Sequence, residues 1–303
     1  MINNDNYYTL ITGASSGIGK EMAFECARLG QNLALVALPQ SGMMNVVEEI
    51  QQLYKVKIRY HCLDLTKPEA PDQLLQWTNS HQIKINILIN NVGTGYSGML
   101  SVTPLEQLLH ILYLNNTVMT IVTKLYMEEL KSYGKGAYIL NVGSLASFIP
   151  IPGKAIYSAS KAFVLNFTLA LRGEMLPSGV KVSCLCPGPV ITSEELMERF
   201  QDAHDSGAWI LESPKKVAKT AIKQLMKGKS IIYPSTMIFI ISWLGSFLPG
   251  IFVAWVAGRA FKKIADKAAE TEKVSLGENG KSLNGKENLN SSNGALKNVE
   301  HLN

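Results

Sequence analysis

Three side chains in the middle of the chain have the types and spacing of an acid–base site. Tyr157 and Lys161 lie four residues apart, and Ser144 precedes Tyr157 by thirteen residues. Residues i and i+4 share one face of a helix, so the Lys161 ammonium can stand beside the Tyr157 phenol. A free phenol is a poor base at neutral pH, but a nearby positive charge favours phenolate. The pair predicts a general acid/base, although such pairs also occur on solvated helix faces.

A glycine-rich turn near the N-terminus indicates where a phosphate-bearing ligand would bind. A β-prone run over 8–11 leads into the turn, and an amphipathic helical pattern follows it. Glycines in this position let the backbone approach a pyrophosphate, whose charge is met by free N–H groups at the helix N-terminus. An ordinary tight strand–helix turn is the alternative. The predicted cofactor-binding residues of the turn are Gly13, Ser15, Ser16, Gly17, Ile18 and Gly19.

The elements that must position these residues alternate between strands and helices. Most predicted strands are continuously apolar, as expected of strands buried on both faces of a parallel sheet. The predicted strands are Tyr8–Thr12, Leu33–Ala37, Lys57–Cys62, Asn86–Asn90, Ala137–Val142, Lys181–Cys186 and Ile231–Tyr233, and helices are expected at about 17–29, 42–54, 68–80, 104–132, 155–176, 194–204 and 214–227. The pattern predicts an α/β fold with a Rossmann-type doubly wound parallel sheet, as a single domain with an apolar C-terminal extension.

Composition limits the classes of partner and compartment. The formal net charge of +5 is modest, so no nucleic-acid footprint is expected. No secretory signal precedes the first predicted strand, which favours the cytoplasm. The four cysteines are expected to be buried free thiols in a reducing compartment, and no metal site is expected. They are Cys26, Cys62, Cys184 and Cys186.

Six motifs together resemble the classical short-chain dehydrogenase/reductase family over roughly residues 6 to 228. They are Thr12-Gly13-x-x-x-Gly17-x-Gly19, Asp64 in Leu63-Asp64-Leu65-Thr66, Asn90-Asn91-Val92-Gly93, Ser144, Tyr157-x-x-x-Lys161 and Pro187-Gly188-Pro189-Val190-Ile191-Thr192. Each motif alone is weak, but their order and spacing are specific. The resemblance implies reversible hydride transfer between a nicotinamide and a carbonyl/alcohol pair.

The resemblance also implies a role for each matching residue. Tyr157 would exchange the proton with the substrate oxygen, Lys161 would assist it and hold the nicotinamide ribose, and Ser144 would bind that oxygen. The residues implied to contact the cofactor elsewhere are Asp64 at the adenine, Asn90 at the adenosine, Pro187 and Gly188 in their motif, and Thr192 at the carboxamide.

Two details stay open at this point. The family places an asparagine in the long fourth helix; the alignment of Thr123-Lys124 favours Asn115, whereas the distance to Ser144 favours Asn116. After the second strand, residues 38–40 contain neither the arginine typical of NADP-preferring members nor the acid typical of NAD-preferring members. The missing acid slightly favours NADP(H) over NAD(H).

The C-terminal part contains a long uncharged run. No charged residue occurs between Thr236 and Gly258. The length of this uncharged run exceeds the roughly 18 residues that indicate a membrane-spanning helix. Pro249-Gly250 divides the run into halves too short to span. Three interpretations therefore stay open: a cap over the pocket or a subunit interface, two interfacial helices on a membrane, or one span. Residues from about 271 to 303 have the composition of a disordered tail.

These patterns predict an NAD(P)(H)-dependent oxidoreductase that interconverts a secondary alcohol and a lipophilic ketone of 3-oxoacyl or steroid-like type. The alternative is a non-catalytic cofactor-binding regulator or scaffold of the same fold. We expect a catalytic domain over 1–228, an apolar and basic segment over 229–268 and a tail over 269–303. The loop over 193–213 is expected to cover the pocket. Expected partners are a small-molecule carbonyl or alcohol, a second copy in a homodimer or homotetramer, and a membrane surface, contacted through residues 230–268.

Overall fold

A computed structural model of the chain describes residues 6–190 and 211–259. Their strands form a seven-stranded sheet in the order β3-β2-β1-β4-β5-β6-β7, in which every neighbouring pair runs parallel. The order reverses between β1 and β4, which confirms the predicted Rossmann-type doubly wound sheet. The strands are β1 Tyr7–Thr12, β2 Asn32–Ala37, β3 Ile58–Cys62, β4 Lys84–Asn90, β5 Tyr138–Val142, β6 Lys181–Leu185 and β7 Ile231–Ile232.

Helices cover both faces of the sheet. They are α1 Gly17–Arg28, α2 Met43–Leu53, α3 Ala70–Ser80, α4 Leu105–Leu112, α5 Met119–Tyr133, α6 Ala155–Met175, α7 Pro214–Met226 and α8 Thr236–Phe247, followed by α9 over residues 250–259. Buried side chains of α1, α2 and α7 form the core on one face, and those of α3, α5 and α6 form the core on the other. The helix predicted over 194–204 lies outside the described residues.

The helix predicted over 104–132 differs from a uniform α-helix. A π-helical segment, Tyr113–Val118, joins α4 to α5 and contains both Asn115 and Asn116. A π-helical turn is wider than an α-helical turn, and such turns are frequent at functional sites. The segment therefore sets these two amides apart from the regular turns on either side.

A chain of buried polar side chains links the centre of the sheet to two helices. Asn90 and Asn141 are register partners in β4 and β5, and the Asn90 amide donates to Asn141 Oδ1 at 2.8 Å and to Thr123 Oγ1 at 2.9 Å. The Asn141 amide donates to Thr168 Oγ1 at 3.0 Å. Because buried polar groups without partners are costly, these bonds hold α5 and α6 in register with β4 and β5.

The thiol prediction is confirmed for three cysteines and wrong for one. All four are free, but Cys62 is exposed, because β3 is the edge strand of the sheet. Burial raises the pKa of the Cys26 thiol to about 12. The Sγ atoms of Cys184 and Cys186 lie 3.6 Å apart on one face of the β6 segment, as their spacing predicts.

The C-terminal run is split into two helices, as Pro249-Gly250 predicts. Ser235 Oγ accepts a hydrogen bond from Ile238 N–H and caps α8, which ends at Phe247. Of the helices in the described ranges, none has the length and hydropathy needed to cross a membrane. The described residues up to Gly258 belong to one compact unit, and the domain boundary expected at residue 228 stays a prediction.

The buried amide chain predicts the outcome of replacing Asn141 with leucine. Because Asn141→Leu leaves the Asn90 amide and Thr168 hydroxyl without one partner each, we expect the free energy of unfolding to fall by about 1–3 kcal/mol in urea denaturation. Asn166→Leu is the matched control, since Asn166 is exposed and its amide donates to the Ala162 carbonyl of its own helix. Equal losses in both variants would contradict a special role for the buried chain.

Candidate active site

The glycine turn between β1 and α1 brings three segments into close contact. Gly13 and Gly17 have φ values of +69° and +54°, which residues with a side chain rarely adopt. A Cβ atom on Gly19 would lie 2.0 Å from Gly13 O and 2.5 Å from Asn91 Nδ2. The Asn91 amide donates to the carbonyls of Thr12 and Gly13, so it ties the turn to the end of β4. Only glycine fits at position 19.

The first turn of α1 faces this cradle with free backbone donors. Ser16, the residue before the helix, makes no capping hydrogen bond with its side chain, and the first turn contains no acidic residue. The first N–H groups of a helix have no intrahelical acceptor, and the helix dipole favours an anion there. Ser15 is partly buried, Ser16 is exposed and Ile18 is partly buried. The turn therefore fits the pyrophosphate of a dinucleotide.

Lys161 is buried beside Tyr157 at the carboxyl end of β5. Its Nζ lies 5.9 Å from the centroid of the Tyr157 ring and donates to Val142 O at 2.8 Å. A Cβ atom on Gly93 would lie 3.6 Å from the same Nζ. An ammonium has three donors, and Val142 O is its one hydrogen-bond acceptor within the described part of the chain. Two donors are thus available next to Tyr157 and Gly93.

Asn115 fixes the loop that follows β4. Its Oδ1 accepts from Thr94 N–H at 2.8 Å, and its Nδ2 donates to Thr94 O at 3.1 Å and to Ser160 Oγ at 3.1 Å. A Cβ atom on Gly93 would lie 2.9 Å from Asn115 Oδ1. The Asn116 amide donates instead to Ser160 O at 2.8 Å. Asn115 therefore borders the loop beside Lys161, whereas Asn116 holds α6.

Ser144 follows β5 and begins a short 3₁₀ turn, Leu145–Ser147. Its Oγ accepts from Ala146 N–H at 3.1 Å. The Ser147 hydroxyl accepts from Ser144 N–H at 3.2 Å and donates to Lys161 O at 2.8 Å. One hydroxyl thus joins the backbone of Ser144 to that of Lys161. The sequence reasoning missed this bond, and the Ser-x-x-Ser spacing of a capping box was the signal for it.

A second lysine that the sequence reasoning missed lies near Tyr157. Lys154 immediately precedes α6, and its Nζ is 5.8 Å from the centroid of the Tyr157 ring. Burial lowers the pKa of Lys154, and the neighbouring Tyr157 partly offsets that effect. The signal was a lysine three residues before the tyrosine, directly before the start of the predicted helix at 155. The Tyr157 ring thus lies near two ammonium groups, one from Lys154 before it in the sequence and one from Lys161 after it.

The residues predicted for the adenosine side lie at the carboxyl ends of β3 and β4. Thr66 donates to Asp64 Oδ1 from its hydroxyl at 2.7 Å and its N–H at 3.0 Å, and these bonds hold the pKa of the Asp64 carboxyl below its usual value. Asn90 is buried, and its amide nitrogen is bonded to Thr123 and Asn141. Its cofactor contact stays a prediction, beside a structural role that the sequence did not predict.

The motif after β6 is described in part. Pro187 is buried, and its carbonyl accepts from Leu145 N–H at 2.8 Å, which joins this motif to the turn after β5. Gly188 is partly buried. Thr192 lies outside the described residues, as does most of the loop predicted over 193–213.

The segment after β2 carries no free acid for a ribose. Leu38 to Gln40 are exposed, and Gln40 has a φ of +60°. Lys20 Nζ pairs with Glu49 on α2 at 2.9 Å. The Ser41 hydroxyl is buried and has no hydrogen-bond partner within the described ranges.

The fold and the glycine turn define a Rossmann-type nucleotide-binding protein, and comparison with known families narrows this class. The family model described as short chain dehydrogenase matches residues 8–203, about two thirds of the chain. The chain therefore belongs to the short-chain dehydrogenase family, as the motifs predicted.

Curated relatives of the chain share one name. A very-long-chain 3-oxoacyl-CoA reductase of Phaeosphaeria nodorum is 32% identical over 238 residues, which cover 76% of this chain and 67% of the relative. One of the same name from Kluyveromyces lactis is 29% identical over 226 residues, covering 73% of this chain and 63% of the relative. Others are matched over about half of their length.

Solved structures show the same fold. A short-chain dehydrogenase from Sphingobium yanoikuyae in complex with NADPH has a TM-score of 0.67 and 26% identity, with 80% of this chain and 96% of that chain covered. A short chain dehydrogenase/reductase from Burkholderia phymatum in complex with NAD has a TM-score of 0.70 with 80% and 94% covered, and at 22% identity it supports the fold alone.

The cradle predicts the outcome of adding one methyl group at Gly19. In Gly19→Ala the new Cβ would meet a backbone carbonyl, so the turn must open, and we expect dinucleotide affinity measured by fluorescence titration to fall by at least roughly tenfold. Gly173→Ala is the control, because Gly173 lies in α6 with no atom within 4 Å of an added Cβ. Unchanged dinucleotide affinity in Gly19→Ala would show that the turn does not hold the ligand.

Proposed function

We propose that this protein is an NAD(P)(H)-dependent oxidoreductase that interconverts a lipophilic ketone and its secondary alcohol. The observation that carries the proposal is the buried Lys161 ammonium, which keeps two donors beside Tyr157 and Gly93. A buried cation without enough partners is costly, so a site that retains one is arranged for a ligand. The name shared by the curated relatives supports a 3-oxoacyl thioester as the substrate class.

In the proposed reaction the chain supplies the proton and the oxygen contacts. A bound nicotinamide would supply the hydride. The Tyr157 hydroxyl makes no hydrogen bond within the described ranges, and it donates its proton to the carbonyl oxygen, or takes it back from the alcohol. Ser144 donates its hydroxyl hydrogen to the same oxygen and stabilises the charge that develops there, an effect worth about 2.7–4 kcal/mol for one well-placed donor. The two remaining donors of the Lys161 ammonium would hold the hydroxyls of the nicotinamide ribose beside Tyr157.

Asn115 rather than Asn116 is the asparagine that we propose for the site. Both amides are buried, but Asn115 is bonded to the loop that faces the Lys161 ammonium, and Asn116 is bonded to the backbone of α6. Asn115 thereby fixes the distance between that loop and Lys161. Asn90 and Asp64 are proposed to line the adenosine, with Pro187, Gly188 and Thr192 on the nicotinamide side.

NADP(H) is the cofactor that we favour. Residues 38–40, directly after β2, include no acid that would bind the ribose hydroxyls and repel a 2′-phosphate, and Glu49 on α2 is paired with Lys20. The buried Ser41 hydroxyl has no hydrogen-bond partner among the described residues, so it could donate to a 2′-phosphate.

Two further partners are proposed. A second copy of the chain would pack on α6, where Phe163 and Leu169 are exposed and Phe163 stacks on Phe167. A membrane surface would contact α8 and α9, whose large apolar side chains are exposed. We propose that the protein works on the cytoplasmic side, where reducing conditions keep the exposed Cys62 as a thiol.

Replacing Tyr157 with phenylalanine tests the reaction. We expect Tyr157→Phe to retain dinucleotide affinity and to lose turnover of a 3-oxoacyl thioester by about 10²–10⁴-fold, because only the proton donor is removed. Tyr133→Phe is the control, since Tyr133 packs against Tyr7 away from the site. Wild-type protein that binds dinucleotide but reduces no member of a broad ketone panel would favour the non-catalytic scaffold instead.

Titration with the two reduced cofactors tests the 2′ preference. We expect NADPH to bind more tightly than NADH, because the site after β2 has no acid to repel a 2′-phosphate. Introducing an acid with Leu38→Asp should reverse the order, since Leu38 is exposed at this position. Fluorescence titration of the wild type with both cofactors measures this, and equal affinities would refute the preference.

A further inference from the structure

Two segments far apart in sequence expose large apolar side chains. The first segment covers residues 99–109, and the second covers α8 and α9. In the first, the exposed residues are Met99, Leu100, Val102, Leu105 and Leu109; in the second they are Met237, Phe239, Ile240, Trp243, Leu244, Phe247, Leu248, Ile251, Phe252, Trp255 and Val256. Monomeric soluble proteins rarely leave so many large apolar side chains together in water, so this surface has a partner.

A single loop over 148–153 connects the two segments. Gly98 N–H donates to Gly153 O at 2.7 Å, which joins the first segment to the end of the loop. A Cβ atom on Gly245 would lie 3.0 Å from Phe148 O, and one on Gly258 would lie 3.0 Å from Pro152 Cγ. Both C-terminal helices thus lie against the same loop. We define residues 99–109 together with α8 and α9 as the apolar platform, because both segments adjoin this loop.

The apolar platform adjoins the part of the fold that carries Tyr157. The loop leads directly into α6, which carries Tyr157. On α4, the buried residues Leu108 and Ile111 pack in one cluster with Tyr157, whereas Leu105 and Leu109 on the same helix are exposed. The short helix α4 therefore packs against Tyr157 through its buried residues and contributes its exposed residues to the platform.

We propose that the apolar platform docks on the surface of a lipid bilayer and turns the side of the fold that carries Tyr157 towards it, so that a lipophilic ketone reaches Tyr157 from the lipid. This inference rests on the proposed function for the identity of the substrate. The docking itself follows from the exposed side chains and their position around the 148–153 loop.

Charge and composition favour a bilayer over a protein partner. No charged residue occurs between Thr236 and Gly258, whereas a protein interface has a polar rim around its apolar centre. Trp243 and Trp255 are about half exposed, and tryptophan concentrates at the level of lipid headgroups. In sequence, Arg259, Lys262, Lys263 and Lys267 follow directly, and such basic clusters attract anionic lipids. The uncharged helices and their tryptophans match a membrane surface, and the basic residues that follow in sequence favour one that carries anionic lipids.

Vesicle co-sedimentation of the full chain, without substrate or cofactor, tests the docking. The vesicles contain phosphatidylcholine alone or with phosphatidylserine. The variants Leu105→Glu and Ile251→Glu each place a charge at an exposed position in one of the two segments. We expect each to lower vesicle affinity by roughly tenfold or more, because it removes one inserted side chain and adds a charge. The wild type should bind the anionic vesicles more tightly.

Leu53→Glu and Leu176→Glu are matched controls, because both leucines are well exposed and belong to neither segment. They should bind vesicles as the wild type does, and circular dichroism should show all four variants folded. Wild-type affinity of Leu105→Glu would overturn the two-segment platform. Absence of vesicle binding by the wild type, with a dimer in sedimentation velocity that Ile251→Glu dissociates, would overturn the bilayer and assign the surface to a second copy.

A separate measurement tests the entry route. For both platform variants, the ratio of turnover on a vesicle-embedded ketone to turnover on a water-soluble ketone should fall with vesicle affinity. An unchanged ratio would overturn lateral entry. If the proposed reductase function is wrong, the wild type should turn over neither ketone but still bind vesicles. If the docking is wrong, it should reduce the soluble ketone but not bind vesicles.

Discussion

The arrangement of this protein depends on a buried ammonium that must be held by oxygen atoms at the end of a parallel strand. A cation removed from water is tolerated only with hydrogen-bond partners. Val142 O supplies one of them to Lys161, which places the ammonium at the carboxyl edge of the sheet, beside Tyr157 and the loop after β4. The remaining features hold this edge in place. Ser147 joins the turn after β5 to α6, and Asn91 joins the glycine turn to β4.

Sequence reasoning succeeded where the signal is periodic or local. Continuous apolar runs alternating with amphipathic ones predicted the seven parallel strands, because buried strands and crossover helices leave these two patterns. The Ser-Pro start of α7 and the break at Pro249-Gly250 followed from local backbone chemistry. The place of Gly19 in a tight turn was predicted from the strand before it and the helix after it.

The parts that were missed depend on contacts between distant segments. The structural role of Asn90 was missed, because its amide bonds Thr123 and Asn141 inside the sheet and nothing near position 90 encodes those partners. The prediction that Cys62 is buried was wrong because β3 lies at the edge of the sheet. That position depends on the strand order, which the sequence of one strand does not contain. The exposed face of α4 was also missed, since its apolar residues look like ordinary core positions until the fold shows that two of them face outward.

The π-helical segment between α4 and α5 has a consequence for how the chain is aligned with its relatives. A π-helical turn accommodates one more residue than an α-helical turn over nearly the same axial length. The residue count from Asn115 to Ser144 is one longer than the spacing typical of the family, and a wider turn over Tyr113–Val118 absorbs such an insertion locally. The residue count along the chain therefore favours Asn116, whereas the contacts with the loop beside Lys161 favour Asn115. An alignment that permits no gap here shifts the amide by one residue, which rotates it by about 100° around the helix axis, away from the loop beside Lys161.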